Sequence, residues 1–174
     1  MPDRPAAMRT NGRLPDPVFD EDECFYCRID PARIQPDGMV DPAHVRCPNL
    51  SSNRSKYSEP HYVLYPLVRF RGFSVFSFRL QDSPNQISSD NPGGGTPTVY
   101  DVRTIHDPLS EPPEEDNYGH CETRIFRSGS DAPMPENKIS KGAIKVFKVK
   151  MSGALRPVEA SRILLLEPGD AAAV

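Results

Sequence analysis

The chain has 174 residues, 37% of them hydrophobic, and a formal net charge of −3. This length fits one domain, and the acidic balance argues against nucleic-acid binding through the whole surface. Proline is unusually frequent at 20 residues, about twice the ordinary share of roughly 5%. Because proline breaks helix interiors and removes a donor from strand ladders, we expect a compact core surrounded by much loop.

The two ends of the chain differ in composition from the middle. Residues 1–17 are rich in proline and predict a disordered N-terminal arm, and residues 168–174 predict a flexible tail. Residues 18–167 then form a single domain. No apolar run approaches the roughly 20 residues of a membrane span, and the start of the chain lacks the apolar segment of a secretory signal. We therefore expect a cytoplasmic protein that does not bind membranes, with cysteines that are thiols or metal ligands rather than disulfides.

The first half of the domain begins with a short apolar element. Residues 23–29 predict a short strand or a single helical turn, and Pro36-Asp37-Gly38 is typical of a turn. Residues 49–59 are polar and predict a loop. Residues 72–80 are the best strand candidate, because apolar side chains on both faces indicate a strand that is buried on both sides.

The second half alternates loops and strands before it ends in a helix. Residues 81–97 contain several prolines and glycines and predict a long flexible loop. Residues 98–105 and 120–127 predict two more strands. Residues 140–155 predict the main helix, capped by Ser140, although a strand remains an alternative there; residues 162–166 predict a last short strand. The sum is an α+β domain with a small, mainly antiparallel sheet, one main helix and long proline-rich loops.

Three chemically active side chains share one face of the strand predicted at residues 120–127. Side chains alternate along a strand, so His120, Glu122 and Arg124 point the same way. In one interpretation His120 is a catalytic acid or base oriented by Glu122, while Arg124 or Arg28 holds an anionic group and His106 joins the site. In the other, the row is a solvated polar face.

The cysteines suggest a second kind of site. Cys24 and Cys27 form a C-x-x-C pair, and His44 and Cys47 follow with a spacing of three. Thiolate and imidazole ligands suit a tetrahedral zinc ion, so zinc is the one cofactor that the sequence suggests. The alternative is that these residues are half-buried thiols and a loop histidine.

A row of lysines accompanies the predicted helix. Lys141, Lys145 and Lys148 lie on one helical face, where they predict either an ordinary solvated face or a patch that contacts the phosphates of a nucleic acid. The acidic stretch from Glu111 to Asp116 of the same chain is another candidate partner for this stripe.

Short motifs between residues 23 and 127 resemble those of a group of small uncharacterised bacterial proteins, for which no activity is implied. The motifs are Phe25-Tyr26-x-Arg28-Ile29, Pro36-Asp37-Gly38-x-Val40, Asn53-Arg54-Ser55-Lys56-Tyr57-Ser58, Gly72-Phe73-Ser74-Val75, His106-Asp107-Pro108-Leu109 and Asn117-Tyr118-Gly119-His120. In this chain Cys27 stands where that group has arginine.

A second similarity concerns the order of three residue types. Arg28, then the serines of Ser51-Ser52 and of residues 55–58, then Glu122 follow an order similar to the Arg–Ser–Glu order of ADP-ribosyltransferases.

The sequence therefore leaves three functional hypotheses. The first is a bacterial accessory protein without enzymatic activity, which binds a protein partner through its loop-rich surface. The second is an enzyme or ligand-binding domain that uses a cleft with histidine, glutamate and arginine. The third is a structural zinc-binding protein.

Overall fold

A computed structural model describes residues 8–65, 67–70, 72–90, 94–110 and 116–159. These residues form a curled, antiparallel seven-stranded sheet and one main helix, so the fold mixes α and β structure but is richer in strand than in helix. The strands are β1 (Cys24–Ile29), β2 (Asn49–Arg54), β3 (Ser74–Arg79), β4 (Gln86–Ser89), β5 (Thr98–His106), β6 (His120–Arg127) and β7 (Arg156–Pro157). They are ordered β4-β5-β6-β2-β1-β3-β7 across the sheet.

The main core lies on one face of this sheet. Alternate residues of the central strands, such as Phe25 of β1, Phe76 of β3 and Ile125 of β6, are almost completely buried there. They pack with Phe147 and Met151 of the helix α2 (Lys141–Ala154). We call this side of the sheet the core face and the other side the open face.

Helix α2 begins and packs as its sequence predicts. The Ser140 side chain accepts a hydrogen bond from the backbone N–H of Ala143 (3.1 Å) and caps the first turn. Phe147, Met151 and Leu155 are buried, whereas Ile144 is only half-buried. The apolar side chains recur at helical spacing, and this period outweighs the local β-propensity of residues 146–149.

Two strands lie where the sequence predicts loops. Strand β2 occupies the polar stretch predicted as loop, and strand β4 lies inside the long loop predicted at residues 81–97. Both predictions were wrong because neither segment has an apolar alternation; Ser52, Asn53 and Arg54 of β2 are buried polar residues. The strand predicted at residues 162–166 lies outside the described residues.

The segment before the sheet is tied to the domain. Residues 8–17 belong to the range predicted as a disordered arm, yet Met8 is fully buried and the Tyr118 hydroxyl donates to the carbonyl of Leu14 (3.0 Å). The backbone N–H of Thr10 donates to Asp116 Oδ1 (2.7 Å). This segment therefore belongs to the described domain.

A second, smaller apolar cluster partly covers the open face. Tyr26 of β1 and Val75 of β3 pack there against Val63, Leu64 and Phe70. The last three come from a 3-10 helix (Pro60–Leu64) and the short helix α1 (Leu67–Phe70). This cover leaves a cleft over the middle of the sheet. None of the helices among the described residues has the length and apolar character to span a membrane.

Candidate functional site

The cleft on the open face has a volume of about 600 Å³. Three neighbouring strands form its floor. The residues that cover the open face, 60–65 and 67–70, form its wall. The floor residues are Tyr26 and Arg28 from β1, Ser51 and Asn53 from β2, and His120 and Glu122 from β6, and the aromatic wall residues are Tyr62, Tyr65 and Phe70. A pocket of this size and mixed polarity suits a small-molecule ligand.

The register of the strands arranges the floor in rows. Tyr26 lies opposite Asn53, and Asn53 lies opposite His120, which gives one row across β1, β2 and β6. Ser51 lies opposite Glu122 in the next row. Because neighbouring strands are about 5 Å apart, these polar side chains are close enough to contact one ligand together.

His120 is held in one tautomer. Its Nδ1 is 2.7 Å from the backbone carbonyl oxygen of Asp107, which can only accept, so Nδ1 carries the proton. Nε2 is then the acceptor nitrogen of the neutral ring. An imidazole fixed in this way is suited to accept a proton from a ligand or a water molecule in the cleft.

Glu122 and Arg124 form an ion pair, as their shared face allows. Arg124 Nε donates to Glu122 Oε2 (2.5 Å), and Arg124 Nη2 contacts Asp107 Oδ2 (3.0 Å). Two carboxylates therefore neutralise Arg124, which is not among the cleft-lining residues. The sequence predicted that Arg124 or Arg28 would hold an anionic group; the structure places Arg124 where it orients the Glu122 carboxylate, and Arg28 in the cleft.

Arg28 lines the cleft beside its aromatic wall. Its Nη1 donates to the carbonyl of Val63 (3.0 Å), and its guanidinium carbon lies 3.8 Å from the centre of the Phe70 ring. Among the described residues that line the cleft there are four arginines and two carboxylates, namely Arg28, Arg33, Arg46, Arg69, Asp30 and Glu122. Four guanidinium groups against two carboxylates favour an anionic ligand.

His106 lies outside this cleft, although the sequence predicted it as part of the site. It is buried at the end of β5, where its Nδ1 accepts a hydrogen bond from the backbone N–H of Asp16 (2.7 Å) and its Nε2 donates to the carbonyl of Tyr118. Burial lowers the pKa of this imidazole. Both ring nitrogens are engaged, so His106 anchors the N-terminal segment to the sheet.

The four predicted zinc ligands are not brought together. Cys27 projects from β1 into the core while Cys24, three residues away, belongs to the opposite face. Burial raises the pKa of Cys27 to about 12 and that of Cys47 to about 11, which disfavours the thiolate that zinc requires. His44 lines the cleft. Within the described ranges, no three His, Cys, Asp or Glu side chains form a group that could hold a metal ion.

The lysine stripe lies on α2, which packs on the core face and not at the cleft. Lys141 and Lys145 are exposed, whereas Lys148 is half-buried and its Nζ donates to the carbonyl of Ala43 (3.1 Å). The predicted acidic partner stretch lies outside the described residues except for Asp116. Binding of nucleic acid by this stripe stays a prediction.

Asn53 and Asn117 are cleft residues that the functional interpretation of the sequence did not select. The polar alternation of Asn49, Ser51 and Asn53 was the available signal, since alternate polar residues in a strand mark one face. It was missed because the other residues of the same strand are also mostly polar.

No protein-family model, curated protein or solved structure matches this chain.

Proposed function

We propose that this chain is an enzyme that binds NAD⁺ in the open-face cleft and cleaves the bond between nicotinamide and ribose. The observation that carries the proposal is that Arg28, Ser51 and Glu122 line the same cleft from three neighbouring strands. Along the chain these three residues follow an order similar to the Arg–Ser–Glu order of ADP-ribosyltransferases. The proposal develops the second hypothesis from the sequence, an enzyme or ligand-binding domain with a histidine, glutamate and arginine cleft.

The lining of the cleft suits both halves of such a ligand. Guanidinium groups bind phosphate oxygens by paired hydrogen bonds, and Arg28, Arg33 and Arg46 line the part of the cleft near the end of β1 and the start of β2. Tyr62, Tyr65 and Phe70 offer aromatic surfaces for planar rings.

The chemistry follows from the cationic character of the substrate. When the bond from ribose C1′ to the pyridinium nitrogen breaks, its electron pair stays with that nitrogen and nicotinamide leaves as a neutral molecule. The ribose retains an oxocarbenium charge, and a nearby carboxylate stabilises that charge. Glu122 is such a carboxylate, oriented by Arg124.

A nucleophile must then attack C1′ and lose its proton. Water or an acceptor hydroxyl bound near His120 would transfer that proton to Nε2, because Nδ1 already carries one. The products of the reaction with water are nicotinamide, ADP-ribose and one proton. In this assignment Glu122 and His120 are the catalytic residues, and Arg28 binds the substrate.

The test is the release of nicotinamide from NAD⁺ by the full chain, measured by chromatography, together with calorimetric titration of NAD⁺. Glu122→Gln keeps the shape of the side chain and removes its charge, so we expect turnover to fall about 100-fold or more, the size of effect seen when one electrostatic stabiliser is lost. Glu136→Gln is the matched control, because Glu136 is exposed outside the cleft and should leave turnover unchanged.

Two results would contradict the proposal. One is the absence of both NAD⁺ binding and nicotinamide release in the folded wild-type chain. The other is turnover that survives intact in Glu122→Gln. In either case the protein-interaction hypothesis, which is based on the prolines and polar loops, would become the better one.

A further inference from the structure

The ring of Phe70 lies between or beside two arginines of the cleft. The guanidinium carbon of Arg28 is 3.8 Å from the centre of this ring, and that of Arg69 is 5.0 Å from the same centre. The two carbons are therefore no more than about 9 Å apart, the sum of these distances. Arg28 belongs to strand β1 and Arg69 to helix α1 in the wall. An anion bound beside Phe70 would be attracted by both positive charges.

Both guanidinium groups are accessible from the cleft. Arg28 and Arg69 are exposed to solvent, and both line the cleft. Arg69 takes part in none of the ion pairs formed by the described residues. A guanidinium group without a carboxylate partner suits the oxygens of a phosphate, which it binds by paired hydrogen bonds.

The charges of NAD⁺ match the charged side chains of the cleft except for Arg69. The pyridinium ring carries one positive charge, which the proposed function places beside Glu122. The diphosphate carries two negative charges. It is placed beside three arginines, which are Arg28, Arg33 and Arg46. Asp30, at the start of the 3-10 helix that contains Arg33, offsets one of these three positive charges. Arg69 is then left without a counterpart in NAD⁺.

We propose that Arg69 binds the 2′-phosphate on the adenosine ribose of NADP⁺, so that the cleft selects NADP⁺ over NAD⁺. This inference rests on the proposed function and adds the residue that determines which dinucleotide is preferred. A phosphate monoester carries a charge of about −1.5 to −2 at pH 7 and has three acceptor oxygens. Only one ribose separates the 2′-phosphate from the diphosphate, and Arg69 is correspondingly close to Arg28 across Phe70.

The experiment compares NADP⁺ with NAD⁺, which differ only in this phosphate. Calorimetric titration of the full wild-type chain at pH 7.5 should give a dissociation constant at least about 10-fold smaller for NADP⁺, the effect of one gained hydrogen bond between charged groups. Nicotinamide release at low concentrations of each dinucleotide should show the same preference. This comparison needs no variant, so it does not depend on whether a substituted protein folds.

A substitution of Arg69 tests whether this residue causes the preference. Arg69→Gln removes the charge, so it should weaken binding of NADP⁺ more than binding of NAD⁺ and reduce the preference to less than about 3-fold. Arg127→Gln is the control, because Arg127 is also exposed but does not line the cleft. It should keep the wild-type preference. Circular dichroism verifies that both variants are folded.

The outcomes distinguish this inference from the proposed function. Equal affinity for the two dinucleotides, or tighter binding of NAD⁺, overturns the role of Arg69 but leaves NAD⁺ as a ligand. A retained preference for NADP⁺ in folded Arg69→Gln also overturns it. Tighter binding of NADP⁺ without nicotinamide release from either dinucleotide overturns the proposed reaction and leaves the role of Arg69. Binding of neither dinucleotide overturns both.

Discussion

The buried ion pair between Arg54 and Glu23 offers the sharpest test of what holds the sheet and the N-terminal segment together. Arg54 Nε and Nη2 donate to the two carboxylate oxygens of Glu23 at 2.7 and 2.9 Å. The two side chains are 0% and 4% exposed. Two further guanidinium N–H groups donate to the backbone carbonyls of Asp16 (2.9 Å) and Val18 (2.6 Å).

Replacing Arg54 by Met would leave the Glu23 carboxylate buried without its partner. Such a loss costs about 3–5 kcal/mol, a large part of the 5–15 kcal/mol that stabilises a typical domain. The double variant Arg54→Met/Glu23→Gln removes the charge as well as its partner. We therefore expect it to be more stable than Arg54→Met alone, because no isolated buried charge remains.

Urea unfolding followed by far-ultraviolet circular dichroism measures these differences in a chain that has no tryptophan. Asp131→Asn is the control, because Asp131 is fully exposed in its 3.2 Å pair with Arg103. Exposed pairs contribute less than about 1 kcal/mol. If Arg54→Met lost no more stability than this control, the reasoning on the buried pair would be refuted.

Two further predictions concern the same core and the anchor of the N-terminal segment. Burial lowers the pKa of His106, so the unfolded chain binds a proton at a higher pH than the native chain does. The stability that this histidine contributes should be complete above its ordinary pKa of about 6.5 and be lost as the pH falls below it. Urea unfolding between pH 5 and pH 7.5 should therefore show a weaker pH dependence in His106→Gln than in the wild type; parallel curves would contradict this. Phe76→Ala should cost about 3–5 kcal/mol, since Phe76 is 1% exposed, and a variant with wild-type stability would remove this residue from the core.

The parts of the fold that could be predicted from sequence are those with a simple apolar pattern. The strand at residues 72–80 was predicted with the correct faces, because Phe76 and Phe78 pack in the main core and Phe73 and Val75 in the cluster on the open face. Helix α2 was recognised from the spacing of Phe147 and Met151 and from its serine cap. Both elements are held in place mainly by the burial of apolar side chains. The spacing of apolar residues in the sequence therefore shows directly whether the segment is a strand or a helix.

Strand β2 shows why the parts of the fold without an apolar pattern could not be predicted from the sequence. Its sequence, Asn-Leu-Ser-Ser-Asn-Arg, contains one large apolar side chain, and its place in the sheet depends on partners that are distant in the chain. Arg54 is buried only because Glu23 lies 31 residues away in sequence but 2.7 Å away in space. No local pattern contains that information.

The candidate site was predictable in the same uneven way. Alternation along a strand correctly placed His120, Glu122 and Arg124 on one face, but only the fold shows that Asp107 competes for Arg124 and that Arg28 lies in the same cleft. Likewise, the sequence could not show that the two ring nitrogens of His106 are bonded to the backbone of Asp16 and of Tyr118.

Strand β2, which the sequence did not predict, contributes both to the stability of the fold and to the cleft of the proposed activity. On the core face, β2 places Arg54 in its buried ion pair; on the open face, it places Ser51 and Asn53 in the floor of the cleft. An apolar β2 would be easier to bury but would supply neither the partner of Asn117 nor the residue opposite Glu122. Because β2 is polar on both faces, its position depends on specific hydrogen bonds rather than on hydrophobic burial. Those bonds fix the register that brings Arg28, Ser51 and Glu122 into one cleft.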